Sequence, residues 1–213
     1  MTHEGRHYNL PYTNEDGTGL GKPLKSMLPA NPDIPIYTAS ITPNGLATSA
    51  EVADGVFPIW MDPEKFDVLG EHLNMGFAKS GRTLADYEVA PFVGVSLGDD
   101  LEQSRWPLKA SMAFYIGSMG ARDKNFYTNY ARVMGFDDEA LKIQDLFLSG
   151  KRDEAAASVP DELVDGCNLV GPAEHICERL QIWKQAGSEN KVGSMLLRTD
   201  NVKALEVVAK EVL

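Results

Sequence analysis

Cysteine is scarce in this chain: two in 213 residues, Cys167 and Cys177. They form neither a Cys-x-x-Cys pair nor a Cys/His cluster, which excludes the usual structural zinc patterns and a secreted disulfide scaffold. A cytoplasmic location is the expectation that follows. Basic residues are also in deficit, with 20 Lys and Arg against 31 Asp and Glu and a formal net charge of −11. Without a basic stripe to meet a phosphate backbone, nucleic acid is not an expected partner. No stretch approaches the roughly 18 apolar residues of a membrane span, so no membrane partner is expected either. Low-complexity tracts are missing, and 43% hydrophobic with 24% charged residues is the composition of one ordinary globular unit.

What the chain does have is an alternation of short apolar runs with amphipathic helices, the pattern of parallel βα units. Residues 1–30 come first and read as a loop or hairpin, with turn signals at Asn14-Glu15-Asp16-Gly17 and Gly19-Leu20-Gly21. Ile34 to Ala39 predicts the first strand, and Thr42-Pro43 supplies an N-cap with proline at the first helical position. Val56 to Trp60 predicts the second strand, followed by the same device at Asp62-Pro63 and a helical face of Phe66, Leu69, Leu73 and Phe77. Alternation over Val89, Pro91, Val93, Val95 and Leu97 predicts the third, with Pro91 favouring an edge or bulge. From Leu101 to Ala186 the periodicity is helical throughout, apart from a short turn at Pro160 to Gly166, with helix ends at Gly117, Gly135, Gly150 and Gly187. Val192 to Leu197 predicts the fourth strand. Asp200 then caps a last helix whose buried side carries Val202, Leu205, Ala209 and Val212. Four strands, each followed by helix, fit half of a (β/α)8 barrel or a small open α/β sheet, and periodicity alone does not choose.

The junction Thr38-Ala39-Ser40-Ile41-Thr42-Pro43-Asn44-Gly45 is the most informative local feature. Small and hydroxyl residues stand between a strand end and a helix start, where free backbone N–H groups and the helix dipole suit an anion. Helix capping by Thr42 alone accounts for the same residues. Other candidates fall away. Gly17-Thr-Gly-Leu-Gly-Lys22 has Asp16 where a phosphate loop needs its first glycine and Pro23 in place of the hydroxyl. His3, His7, His72 and His175 have no acidic or cysteine partner at ligand spacing, so no metal is expected. Met112, Met119 and Met134, with Tyr115 and Phe126, read as core of the helical region rather than a substrate cage. The pairs Asp99-Asp100 and Asp137-Asp138 read as caps.

Ile34-Pro-Ile-Tyr-Thr-Ala-Ser-Ile-Thr-Pro-Asn-Gly45, running on to Ala50-Glu-Val-Ala-Asp-Gly-Val-Phe-Pro58, resembles the fifth to sixth strand of luciferase-like oxidoreductases. Tyr115-Ile-Gly-Ser-Met-Gly120, Asn125-Phe-Tyr127, Ile143 to Gly150, Val159 to Asp165 and Leu169-Val-Gly-Pro172 resemble the subgroup that uses the deazaflavin coenzyme F-420. The resemblance implies an α/β fold, the C-terminal half of a TIM (β/α)8 barrel. It would be a single partial domain over 1–213: the loop of 1–30, three strands with their helices in 31–100, a helical insertion over 101–187, and the last strand and helix in 188–213. It implies a flavin- or deazaflavin-dependent oxidoreductase acting on a small-molecule substrate. With coenzyme F-420 the reaction is hydride transfer; with FMN, the alternative, it is monooxygenation. Ala39, Ser40, Thr42, Asn44 and Gly45 would hold the phosphate-bearing tail of the cofactor, and Arg198, just past the fourth strand, would offer its fork to a phosphate. Family members commonly have glycine where this chain has Thr42, whose side chain would crowd a phosphate or give it a hydroxyl. The first four βα units would lie upstream of Met1, as in an abridged or split gene, and with them the catalytic side chains. Such a half would self-associate or pair with a separate N-terminal half. A non-catalytic binding or structural subunit, or a remnant of such an enzyme, is the other functional expectation.

Overall fold

Wherever strands alternate with helices in this chain, the pairing is parallel. The computed structural model describes residues 1–23 and 25–213. Leu24, which the loop expected over 1–30 includes, lies outside the described residues. The chain divides into two units, Met1–Ile34 and Pro35–Leu213. In the first, β1 (His3–Glu4) and β2 (Asn9–Leu10) form a short antiparallel ladder. A turn follows in which the Gly17 N–H donates to the Asn14 carbonyl at 2.9 Å.

The second unit holds two three-stranded sheets. One is β3 (Tyr37–Thr38), β4 (Gly55–Val56) and β5 (Glu88–Val89), in that order. The other runs β7 (Leu169–Gly171), β6 (Phe92–Leu97), β8 (Leu196–Arg198). A bridge between Ile59 and Phe92 connects them. Pro91, which has no N–H to give a ladder, separates β5 from β6 and splits the third strand expected over 89–97. Across the first sheet the register sets Tyr37, Gly55 and Glu88 side by side. A Cβ at Gly55 would collide with the Tyr37 ring, so glycine is what lets the Tyr37 hydroxyl reach over β4 and donate to the Glu88 carboxylate.

The helices follow their local chemistry. Thr42 caps α1 (Pro43–Val52), accepting from the Gly45 N–H at 3.3 Å. Asp62 accepts from the Glu64 N–H at 3.0 Å to open the short turn before α2 (Asp67–Ser80). Leu46 and Ala50 of α1 join Leu69, Leu73 and Phe77 of α2 in the core, where each large side chain contributes about 1.5–3 kcal/mol by leaving water. Asp100 caps α3 (Leu101–Ser118), which continues through Pro107.

Five further expectations are corrected. The stretch expected to be a wholly helical insertion contains α4 (Phe126–Val133), α5 (Asp137–Leu148), α6 (Arg152–Ala157) and α7 (Asp161–Cys167), but also the strand β7. Three residues are too few to show alternation, and β7 exists because β6 offers its edge at Val95–Leu97. The turn expected at 160–166 is α7. The strand expected over Val192–Leu197 forms only at Leu196–Arg198, because Ser194 turns its hydroxyl to Glu88 and only single N–H bonds, from Gly193 to Val89 and Leu196 to Pro91, tie the approach. After α8 (Ala173–Ser188), the last helix, α9 (Val202–Val212), is capped by Asn201 rather than Asp200 and buries Ala204 and Val208. Its Val202, Leu205 and Val212 are exposed, so the contact face is rotated from the one expected.

Candidate functional site

Two neighbouring hollows open beside the ends of the strands, and together they include four of the six residues expected at a cofactor site: Ala39, Ser40 and Thr42 in one, Arg198 in the other. The first, about 240 Å³, has Ala39, Ser40, Ile41 and Thr42 along one side and Phe57, Ile59, Phe126 and Tyr127 along the other. Asn44 and Gly45 lie in the first turn of α1 behind this wall rather than in it. Gly45 nevertheless shapes it: a Cβ there would fall onto Ser40 Oγ and come within 2.7 Å of Thr42 Oγ1, so two hydroxyls converge on the bare face of this residue. Pro43 has no N–H and Gly45 gives its own to Thr42, which leaves Asn44 as a first-turn donor without an intrahelical acceptor. The wall is thus neutral: two hydroxyls beside the positive end of a ten-residue helix, with no cationic side chain among the lining residues.

The second hollow, about 280 Å³, is aromatic. Trp60 stands at its back, 6.0 Å from the Tyr115 ring and 5.6 Å from the Tyr127 ring, and the two tyrosines lie 4.9 Å apart. Trp60 adopts φ +50°, a conformation that costs a bulky side chain about 1–3 kcal/mol. Its carbonyl is held from two sides, by the Tyr130 hydroxyl at 3.4 Å and by Cys167 Sγ at 3.1 Å. Burial pushes the Cys167 thiol well up, so it stays protonated as a donor and is not a nucleophile. Asn125, almost wholly buried, ties the tyrosines together. Its Oδ1 accepts from the N–H groups of Tyr127 at 2.9 Å and Thr128 at 3.2 Å, and its Nδ2 donates to the carbonyls of Tyr115 at 3.0 Å and Ile116 at 2.8 Å. The start of α4 is thereby fixed to the end of α3. Burial, and then neighbouring Tyr115, raises the Tyr127 phenol, which remains a neutral hydroxyl at the rim.

Arg198 lines this aromatic hollow and not the one beside Thr42, so the six expected residues do not line a single hollow. Ile59 and Tyr127 line both hollows and form the partition between them. Reading the residues in order finds Thr42 and Arg198 but misses Trp60, Tyr127 and Asn168, which are brought together only by tertiary contacts. Of the residues expected as helical core, Met112 and Met134 are buried and Met119 is exposed, whereas Tyr115 faces the aromatic hollow and Phe126 the other. His175 Nδ1 donates to the Val170 carbonyl at 2.7 Å, a structural role. Among the described residues no group of three or more His, Cys, Asp or Glu could hold a metal, and no helix is long and apolar enough to cross a membrane.

The family model for luciferase-like monooxygenases matches residues 1–190. Over 190 residues the chain is 38% identical to a Mycobacterium tuberculosis protein named as a coenzyme F-420-dependent oxidoreductase, a match covering 88% of this chain and 55% of that protein. It is 25% identical over 180 residues to the 5,10-methylenetetrahydromethanopterin reductase of Archaeoglobus fulgidus, covering 84% of this chain and 54% of the reductase. The solved coenzyme F-420-dependent tetrahydromethanopterin reductase of Methanopyrus kandleri superposes with a TM-score of 0.61 at 22% identity, over 84% of this chain and 50% of that one. An F-420-dependent secondary alcohol dehydrogenase superposes at 0.54 and 15% identity, over 100% of this chain and 55% of that one. The α/β fold with parallel sheets is shared with these structures, and the chain spans about half the length of the relatives it matches.

Proposed function

This chain belongs to the luciferase-like monooxygenase family, and we propose that it contributes the tail-binding side of a coenzyme F-420-dependent oxidoreductase. The observation that carries the reading is the cradle at the β3–α1 junction, where Ser40 and Thr42 hydroxyls meet over Gly45 at a helix start. Its donors are neutral and convergent, which fits a phosphate ester better than a metal or a free cation. The relative at 38% identity, whose name specifies coenzyme F-420, supports the choice of cofactor. Bound, that coenzyme would supply hydride transfer. The chain's own part is to hold: Ser40, Thr42 and the Asn44 N–H would fix the phosphate, while Phe57 and Ile59 would keep water from the tail. No side chain of this chain is assigned the proton transfer of catalysis.

The match to a monooxygenase family model favours a second reading, reduced FMN activating oxygen, with the FMN phosphate in the same cradle. In architecture we read Pro35–Leu213 as the C-terminal half of a (β/α)8 barrel, and the four-part division of the chain belongs to that proposal. Among the described residues β3 and β8 each pair on one side only, so pairing with a separate N-terminal half, or self-association, would satisfy their free edges. We place the protein in the cytoplasm, acting on a small molecule.

Separate fluorescence titrations of the purified protein with coenzyme F-420 and with FMN test the reading. Saturable binding of coenzyme F-420, about tenfold or more tighter than FMN and weakened to a similar degree by Gly45→Val, is expected. Preference for FMN would move the assignment to the second reading. Saturable binding of neither would remove the oxidoreductase and leave a non-catalytic subunit.

A further inference from the structure

Arg198 is a cation without an anion. Among the described residues no carboxylate lies within ion-pairing distance of its guanidinium and no hydrogen bond engages it, although the chain carries 31 acidic residues against 20 basic ones. Register explains its position. β8 pairs with β6 so that Arg198 stands opposite Gly94 and Leu196 opposite Phe92. Alternation puts Phe92, Gly94 and Arg198 on one face of the sheet, the face on which the hollow opens. Gly94 contributes no side chain to the floor, and its N–H is already taken by Asn168 Oδ1 at 3.0 Å. Asn168 in turn gives its Nδ2 to the Val164 carbonyl at 2.8 Å, so this amide is spent on structure. The charged group left to recognise a ligand is the guanidinium; the Ser111, Tyr115 and Tyr127 hydroxyls are the neutral ones, and the rings of Trp60, Tyr115 and Tyr127 supply the apolar wall.

The chemistry selects one kind of molecule. Walls made of ring faces and edges favour a flat, apolar body, and a planar guanidinium fork favours a carboxylate over a neutral amide or an alcohol. A volume of about 280 Å³ holds a single-ring compound and not an extended tail. The hollow is also separated from the hydroxyl cradle at Thr42 by the Ile59–Tyr127 partition, so Arg198 is free to serve a second molecule while the cradle is occupied.

We propose that the hollow at Arg198 binds a small planar carboxylate, its body among Trp60, Tyr115 and Tyr127 and its carboxylate on the guanidinium, and that this is the substrate class of the site. The binding preference stands on the geometry, while its role as substrate rests on the oxidoreductase reading above. Cinnamate and cinnamamide have the same shape and differ in charge, which makes them the probes. Isothermal titration of the wild-type chain is expected to show cinnamate binding about tenfold or more tighter than cinnamamide, a difference that Arg198→Gln erases and Arg198→Lys only partly restores. Coenzyme F-420 affinity, read separately by its own fluorescence, is expected to be unchanged in Arg198→Gln, a substitution of an exposed side chain with no partner to lose. Equal binding of the two probes, or no binding of cinnamate, would overturn the proposal. So would a weakening of coenzyme F-420 by Arg198→Gln, which would give the guanidinium to the cofactor tail. Discrimination between the probes in a protein that binds no coenzyme F-420 would uphold the hollow's preference while removing the cofactor reading.

Discussion

Thr42-Pro43 and Asp62-Pro63 carry the same local device, an oxygen that caps a helical turn followed by proline, yet the fold uses them in opposite ways. The Asp62 carboxylate is buried at 9% exposure and held through Oδ1: besides the Glu64 N–H it receives Arg179 Nη2 at 3.0 Å, and Arg179 also reaches Glu64 and the Gly166 carbonyl. Thr42 meets no such partner, and its hydroxyl looks into a hollow. A capping pattern therefore tells where a helix begins but not whether the cap is a structural joint or a binding edge. The difference is made by a residue 117 positions away.

Breaking the buried joint should have the largest effect. Asp62→Ala leaves the Arg179 guanidinium, whose Nε is already without a partner, in a site where its side chain is only 14% exposed. A loss of about 2–3 kcal/mol is expected in chemical denaturation, because the buried charge-assisted bond to Arg179 and the cap on the Glu64 N–H both go, while the guanidinium keeps only Glu64 and the Gly166 carbonyl. A loss below 1 kcal/mol, the usual range of a surface pair, would show that the two junctions do not differ as described. Thr42→Ala comes next, at about 1 kcal/mol for an ordinary cap, with Thr42→Gly costing only a few tenths. If both Thr42 variants cost as much as Asp62→Ala, the open junction would be a joint after all.

The smallest effect concerns the strand that delivers the chain to Thr42. Hydrogen bonding to Glu88, and then burial, push the Tyr37 phenol up to about 12 from an ordinary 10.0. A raised phenol stabilises the fold fully below pH 10.0 and loses that contribution as pH rises through about 12. Glu88 behaves oppositely. Hydrogen bonds from Ser194 and Tyr37 lower its carboxyl below 4.5, so its contribution is present above that pH and is lost as pH falls through the lowered value. Absorbance titration of Tyr37→Phe against the wild type should remove one late-titrating phenol, and an unchanged alkaline curve would deny the Tyr37–Glu88 bond.

Much of the local architecture is legible in the residue order, since Thr42, Asp62 and Asp100 each cap the turn they precede. The four strands are legible in order though not in length. β7 is hidden because three residues carry no period, and its stability comes from the β6 edge it joins. The hollows are the least legible part. Trp60 and Tyr127 meet only because Asn125 locks α4 to α3 and because Tyr130 and Cys167 hold the Trp60 carbonyl. None of those contacts leaves a spacing in the sequence. Arg198 illustrates the same limit: its residue type suggests an anion, but only the register of β8 on β6 shows beside which hollow that anion would sit.

A crystal structure of the chain grown with coenzyme F-420 locates the cofactor's phosphorus directly. The account places it within hydrogen-bonding distance of Ser40 Oγ, Thr42 Oγ1 or the Asn44 N–H, with Arg198 left to face the aromatic hollow. Phosphorus bound at Arg198, with the Thr42 cradle empty, would contradict it.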